Sequence, residues 1–224
     1  MSKRADPATA ERILITGFEP YDDEINASQV LVESLRDDPP SSLLALSDRL
    51  RVEILPVDTE RIASHIDELL TGYRPSLLLM TGQDASRGCL SLETCAANER
   101  RFSRPDNAGR LVSDRPVVGD GPRSLECTLG DPAGLAATLT AAGIDAQCST
   151  DAGRYLCNQA YYIALHSAAR LDAALRVGFV HLPLLPEQAE RRDDARGTAS
   201  LAETRRAIEV LLGELCRARG DAVL

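Results

Sequence analysis

Short apolar runs alternate with amphipathic stretches along most of the chain. "ILIT" (13–16), "VEILPV" (52–57), "SLLLM" (76–80), "AQCST" (146–150) and "VGFVHL" (177–182) are brief and end at turn residues or polar clusters. Continuous apolar runs of this length fit strands covered on both faces. Between them, apolar residues recur at helical spacing. Val30, Leu31 and Leu35 mark a helix over 27–36, and Ile62, Ile66, Leu69 and Leu70 mark one over 58–71 that opens on Asp58 as a cap. "DPAGLAATLTAAG" (131–143), residues 157–171 and residues 200–220 complete the helices, the last with basic residues in its final turns as the helix dipole prefers. Strand and helix in alternation imply a largely parallel sheet with helices on both faces. Residues 84–130 break the pattern: they are rich in Gly, Pro, Asp and Arg, show little period, and read as a long loop, functional or partly disordered. No repeat or linker divides the 224 residues, so one domain over 1–224 is expected, with residues 1–12 as a flexible lead.

Charge narrows the partners. A net charge of −9 disfavours nucleic acid and anionic membrane, since both call for clustered positive charge. The opening "MSKRADPATAER" has no apolar core of a secretory signal. No apolar run reaches the roughly 18 residues of a membrane span. A cytoplasmic protein is expected, and its six cysteines are then reduced thiols, with no CxxC pair and no local zinc-ligand spacing.

Chemistry is expected where polar clusters follow strand ends: 17–24, 82–87, 151–158 and 181–188. This puts Cys157 and His181 on one rim. Cys157 opens a helix, whose unpaired N–H groups and partial positive charge favour a thiolate and can receive an oxyanion. His181 ends a strand and can pair with that thiolate and protonate a leaving amine. A cysteine is also among the residues most often buried as core, so the pattern alone leaves Cys157 between filler and nucleophile. His166 and His65 read as packed or marginal, Cys148 and Cys216 as core, and Cys89 and Cys95 as accessible. Arg100–Arg101 and Arg191–Arg192 read as solvated surface.

Several segments resemble, in order, the pyroglutamyl peptidase type I family, cysteine omega-peptidases that remove N-terminal pyroglutamate. "ITGFEPYDDEINAS" (15–28) is similar to that family's opening "TGFEPFGGE…NPS". "TGQDASRGCLSLETCAAN" (81–98), "RPDNAG" (104–109), "STDAGRYLCNQAYY" (149–162), "GFVHLPLLPEQ" (178–188) and "GTASLAE" (197–203) carry the rest. The resemblance implies a three-layer α/β/α sandwich around a mostly parallel twisted sheet. It implies Cys157 as nucleophile, His181 as acid/base and Glu93 as the group orienting His181. It further implies amide hydrolysis through a thioester, a small peptide or amide substrate, no cofactor or metal, and a dimer or tetramer. Phe18, Tyr21, Gln83, Tyr155 and Leu156 fall at the family's pocket positions, with Arg87 at its arginine.

The chain departs from the family around that pocket. Asp22 and Asp23 replace two glycines, Thr94 an arginine, Ser103 and Arg104 an Arg-Ile pair, and Arg154 a small residue. Arg104 is expected to meet the substrate or an aspartate of the opening loop, or to point to solvent. Three readings stay open: an ordinary pyroglutamyl peptidase, a relative using the same residues on another small acyl or amide substrate with a carboxylate, and a binding protein with a retired site.

Overall fold

The computed structural model describes residues 12–21, 23–171 and 174–217. Among these residues eight strands form: β1 (Ile13–Phe18), β2 (Leu50–Leu55), β3 (Leu77–Gln83), β4 (Leu90–Glu93), β5 (Cys95–Ala97), β6 (Ser124–Glu126), β7 (Ala146–Ser149) and β8 (Arg176–Leu182). Six α-helices accompany them: α1 (Ala27–Asp37), α2 (Arg61–Tyr73), α3 (Pro132–Ala141), α4 (Leu156–Leu171), α5 (Pro186–Arg192) and α6 (Leu201–Arg217). Six strands make one sheet in the order β2-β1-β3-β8-β4-β7, and β5 and β6 pair separately.

The alternation of side chains along each strand sorts the core into two layers. Ile13, Ile15, Leu77, Leu79, Val180 and Leu182 pack with α1, α3 and α6. Leu14, Leu78, Met80, Val177 and Phe179 pack on the opposite face with α2 and α4. The result is the three-layer α/β/α sandwich. Capping defines the helix starts. Asn26 Oδ1 accepts from Ser28 N at 2.9 Å ahead of α1. Asp58 Oδ1 accepts from Glu60 N at 2.9 Å and Arg61 N at 3.2 Å, so the aspartate read as a cap serves a helix that begins at Arg61 rather than at Asp58.

Of three expectations about the sheet and its connections, two are corrected and one is borne out. The stretch 84–130 contains β4, β5 and β6 rather than loop alone. Strand β4 was missed because "LSLE" is too short for periodicity to register. Its alternation is nonetheless real: Leu90 and Leu92 join the α1–α3–α6 layer, whereas Glu93 lies opposite Phe179 of the other layer. Second, the sheet is mostly parallel as expected, with one antiparallel pairing: β4 runs against β8 and with β7, so four strands run one way and two the other. Third, β7 is an edge strand, and Cys148 is exposed instead of core.

Within the expected flexible lead, Arg12 is tied down, its N–H donating to Ser76 Oγ at 3.1 Å; residues 1–11, like Asp22 and the expected final residues 218–220 of the last helix, lie outside the described residues. No helix among the described residues is long and apolar enough to cross a membrane.

Candidate active site

Strand β8 places His181 beside Gly82 of β3 and Ser91 of β4. His181 is 2 % exposed and Glu93 1 %. Glu93 sits one diagonal step along the neighbouring strand, and its Oε1 accepts from His181 Nδ1 at 2.8 Å. Diagonal neighbours across two strands lie within reach of long side chains, which is how a carboxylate two residues past Ser91 meets the ring.

The chain then crosses from the end of β7 to the start of α4. Although β7 runs opposite to β8, Cys157 and His181 line one cavity with Phe18 at the end of β1 and Gln83 at the end of β3. Cys157 packs on the α2–α4 side of the sheet. Helix α4 begins at Leu156, one residue before the predicted start, with Gln159 N donating to Tyr155 O at 3.0 Å. Cys157 therefore lies in the first turn, where backbone N–H groups have no intrahelical acceptor. Its sulfur lies over the same cavity as the His181 ring and acts on the titration of that ring.

Electrostatics follow from this packing. Burial alone pulls the imidazolium pKa of His181 down. The hydrogen bonds from Cys157 and Glu93, with their negative charge, outweigh it and push the value up to about 10. His181 thus holds its proton at neutral pH.

Gly82 makes the close approach of the thiol feasible. A Cβ there would fall 2.8 Å from Cys157 Sγ and 2.8 Å from Phe179 Cζ. From the sequence, Gly82 read only as the end of a strand, with nothing local to mark the sulfur above it.

Arg87 links Glu93 to the loop before α4. Its Nη2 donates to Glu93 Oε1 at 3.1 Å and to the Asp151 carbonyl at 2.6 Å, and its Nε to Asp84 Oδ2 at 3.0 Å. Hydrogen bonds to charged groups contribute about 1.5–3 kcal/mol. Arg87→Gln is therefore expected to lower kcat/KM roughly 10- to 100-fold, with Arg87→Lys intermediate. Wild-type kinetics in Arg87→Gln would exclude this positioning role.

A cavity of about 490 Å³ opens over Cys157 and His181. Phe18, Tyr21, Gln83, Arg104, Tyr155 and Leu156, the six residues singled out from the sequence, all line it. The Tyr21 and Tyr155 hydroxyls both donate to the Pro105 carbonyl at 2.9 Å, and their rings lie 5.1 Å apart. Burial, reinforced by the Tyr21 hydroxyl, raises the Tyr155 pKa, so this phenol stays a neutral donor. Phe102 meets Tyr155 edge-on at 4.6 Å. Gln83 Oε1 accepts from Ala27 N at 2.7 Å, which fixes its side chain at the start of α1.

The departures from the family divide sharply. Arg154 turns away: it donates to Glu99 Oε2 at 2.8 Å and to Asp151 Oδ1 at 2.6 Å. Thr94 fastens β4 to β7, its N–H donating to Ser149 O at 2.8 Å. Ser103 and Arg104 line the cavity, and the exposed Arg104 guanidinium lies 5.4 Å from the Tyr21 ring centroid. Asp23 pairs with Arg191 at 3.2 Å and Arg192 at 3.0 Å. Those two arginines are thus a clasp on the pocket loop rather than plain solvated surface, and Arg192 reaches the cavity with Arg196. Neither Arg192 nor Arg196 is marked for the cavity by the sequence: Arg192 ends the short α5 and Arg196 lies beyond it. Of the remaining candidates, His166 stacks on Tyr162 and Cys216 is buried. Among the described residues no group of three or more His, Cys, Asp or Glu is placed to hold a metal ion.

Comparison with known proteins places this geometry. The family model described as pyroglutamyl peptidase matches residues 11–213. A pyrrolidone-carboxylate peptidase of Cupriavidus taiwanensis is 36% identical over 85% of this chain and 85% of its own. That of Thermococcus onnurineus is 33% identical over 90% of this chain and 96% of its own. Among solved structures, pyrrolidone carboxyl peptidase from Thermus thermophilus superposes with a TM-score of 0.79 at 37% identity, covering 89% of this chain and 98% of that one. A variant of the Pyrococcus furiosus enzyme gives 0.82 at 27% identity over 93% and 99%. The molecule is an enzyme of the cysteine omega-peptidase class. The chain belongs to the pyroglutamyl peptidase family.

Proposed function

We propose that this chain hydrolyses the amide bond after an N-terminal pyroglutamyl residue through a thioester on Cys157. The observation that carries the reading is His181 held between Glu93 and Cys157 over the first turn of α4. Glu93 occupies Nδ1, which leaves Nε2 for the sulfur and for the substrate. A protonated imidazole facing a sulfur is the partner a thiolate needs.

The thiolate attacks the pyroglutamyl carbonyl, and the negative oxygen of the tetrahedral intermediate is received by N–H groups at the start of α4. His181 gives its proton to the leaving amine as the C–N bond breaks. The neutral ring then takes a proton from water, whose oxygen attacks the thioester and releases pyroglutamate and the thiolate. Glu93 keeps the ring in one orientation and stabilises its charge throughout. Phe18, Tyr21, Tyr155 and Leu156 offer an apolar enclosure for the lactam ring. Hydrolysis of a chromogenic pyroglutamyl amide by the reduced protein tests the reading, and no turnover by folded enzyme would refute it.

The raised pKa of His181 sets the alkaline limb of the pH profile. The proton that leaves with the amine is present below the pKa and lost above it. The limb is expected near pH 10, well above the ordinary histidine range. Glu93→Gln removes a charge that raises this pKa, so the limb moves to lower pH. A limb near 7 in the wild-type enzyme, or one unmoved by Glu93→Gln, would contradict the assignment.

A further inference from the structure

Three segments far apart in the chain meet at one carbonyl. Tyr21 lies in the loop after β1, Tyr155 immediately before α4, and Pro105 between β5 and β6. The Tyr21 and Tyr155 hydroxyls each donate to Pro105 O at 2.9 Å. A carbonyl oxygen has two lone pairs, so the two phenols fill it. Each ring also touches the segment that its hydroxyl ties down. The Arg104 guanidinium carbon lies 5.4 Å from the Tyr21 ring centroid, and Phe102 meets Tyr155 edge-on at 4.6 Å.

The tied segment is anchored at its two ends. Phe102 and Asp106 are buried. Phe102 N donates to Val112 O at 2.7 Å, and Asp106 Oδ2 accepts from Thr59 N at 2.8 Å. Between these anchors Ser103, Arg104 and Pro105 are all exposed, so none of the three is held by burying its own side chain. Proline has no N–H, so the carbonyl is the one backbone group through which Pro105 can be hydrogen-bonded. Where the family pattern has an isoleucine in this segment and a phenylalanine in the opening loop, this chain has Arg104 and Tyr21. An apolar wall residue is gone, and a hydroxyl that holds the same segment has arrived.

All three segments contribute to the cavity: Tyr21, Tyr155, and Ser103 with Arg104, line it. Pinning their junction fixes the spacing of three walls. We infer that the paired hydroxyls of Tyr21 and Tyr155 are positioning groups that set the size of ring the acyl pocket accepts, by holding residues 103–105 against the two tyrosine rings. A five-membered lactam is accepted, and its six-membered homologue is rejected by the fixed walls. This inference rests on the pyroglutamyl-peptidase reading above and deepens it.

The test sets a pyroglutamyl amide against the matching 6-oxopiperidine-2-carbonyl amide, on the wild-type enzyme, Tyr21→Phe, Tyr155→Phe and the double variant. One extra methylene in a fitted pocket costs about 10- to 200-fold, so wild-type kcat/KM is expected to favour the smaller ring by at least about tenfold. Either single variant leaves Pro105 O one donor and keeps most of that preference. In the double variant the preference falls below about threefold, and KM for the pyroglutamyl amide rises more than kcat falls, because the loss is in binding rather than in the chemical step. A role confined to stability would lower the melting temperature and leave the preference between rings as it was. A double variant with the wild-type preference overturns the inference, as does a wild-type enzyme that does not distinguish the rings.

Two measurements without turnover separate this inference from the peptidase reading. The first is amide hydrogen exchange at Phe102 and Asp106, whose N–H groups donate to Val112 O and Arg110 O. It is expected to be about tenfold faster in the double variant, since the segment between them is released. The second is calorimetric binding of the two amides to Cys157→Ala. Faster exchange and tighter binding of the smaller ring, without wild-type hydrolysis, would refute the peptidase reading and retain the clamp. Unchanged exchange, or binding with no preference between the rings, refutes the clamp.

Discussion

Cys157→Ala and Cys157→Ser are both expected to lose turnover of a pyroglutamyl amide, by about four orders of magnitude or more. The loss in the serine variant is the more informative. A serine hydroxyl is a far weaker acid than a thiol, so it stays neutral beside His181 and has to give up its proton in the step of attack. On the proposed mechanism the attacking group is a thiolate facing the imidazolium, and oxygen in place of sulfur removes the contribution of Cys157 to the raised His181 pKa. Thiol chemistry reads the same feature without substrate. Burial raises the pKa of Cys89, Cys95, Cys127 and Cys148, and Cys216 is 1 % exposed. These five are slow toward iodoacetamide at neutral pH because the thiolate is the reactive form. One rapid equivalent is expected in the wild-type protein and none in Cys157→Ala. A rapid phase that survives the substitution, or a Cys157→Ser enzyme with more than a tenth of wild-type activity, would remove Cys157 from its role.

Gly82→Ala is expected to lower kcat/KM about 100-fold while leaving a folded protein. The added methyl meets Cys157 Sγ at 2.8 Å and Phe179 Cζ at 2.8 Å. Phe179 is 1 % exposed, packed 5.5 Å from Tyr161 and 4.7 Å from His181, and has no space to retreat. The sulfur, on a half-exposed residue, is the group that yields. Displacing a reacting atom by about 1 Å costs on the order of 100-fold in rate. Overpacking a core adds about 1–3 kcal/mol of destabilisation. Iodoacetamide kinetics and a thermal melt separate the two effects. A variant with wild-type kinetics would mean that the strands, not the thiol, absorb the methyl.

Much of the architecture is legible along the chain because burial periodicity is a local property. The runs at 13–16, 76–80 and 177–182 place apolar side chains in both helical layers, so they announce strands without reference to their partners. The helix starts are equally local, since Asn26 and Asp58 cap N–H groups two or three residues away. The same locality brings Cys157 and His181 forward as candidates, one at a helix start and one at a strand end. Family resemblance, not pattern, drew attention to Glu93, whose strand is too short to declare itself.

What the sequence by itself determined was the kind of each long element, the two-sided burial of the sheet and the identity of the residues able to do chemistry. The tertiary structure alone decided their meeting. The reversed direction of β4 and β7 arises from pairing between segments far apart in the chain, and it brings Glu93 beside His181 and turns Cys157 onto the sheet face. The same long-range closure put Gly82 under the sulfur, sent Arg154 out toward Glu99, and drew Arg192 to the cavity through Asp23. A residue's type and its near neighbours set what it can do; contacts made across tens of residues set what it faces.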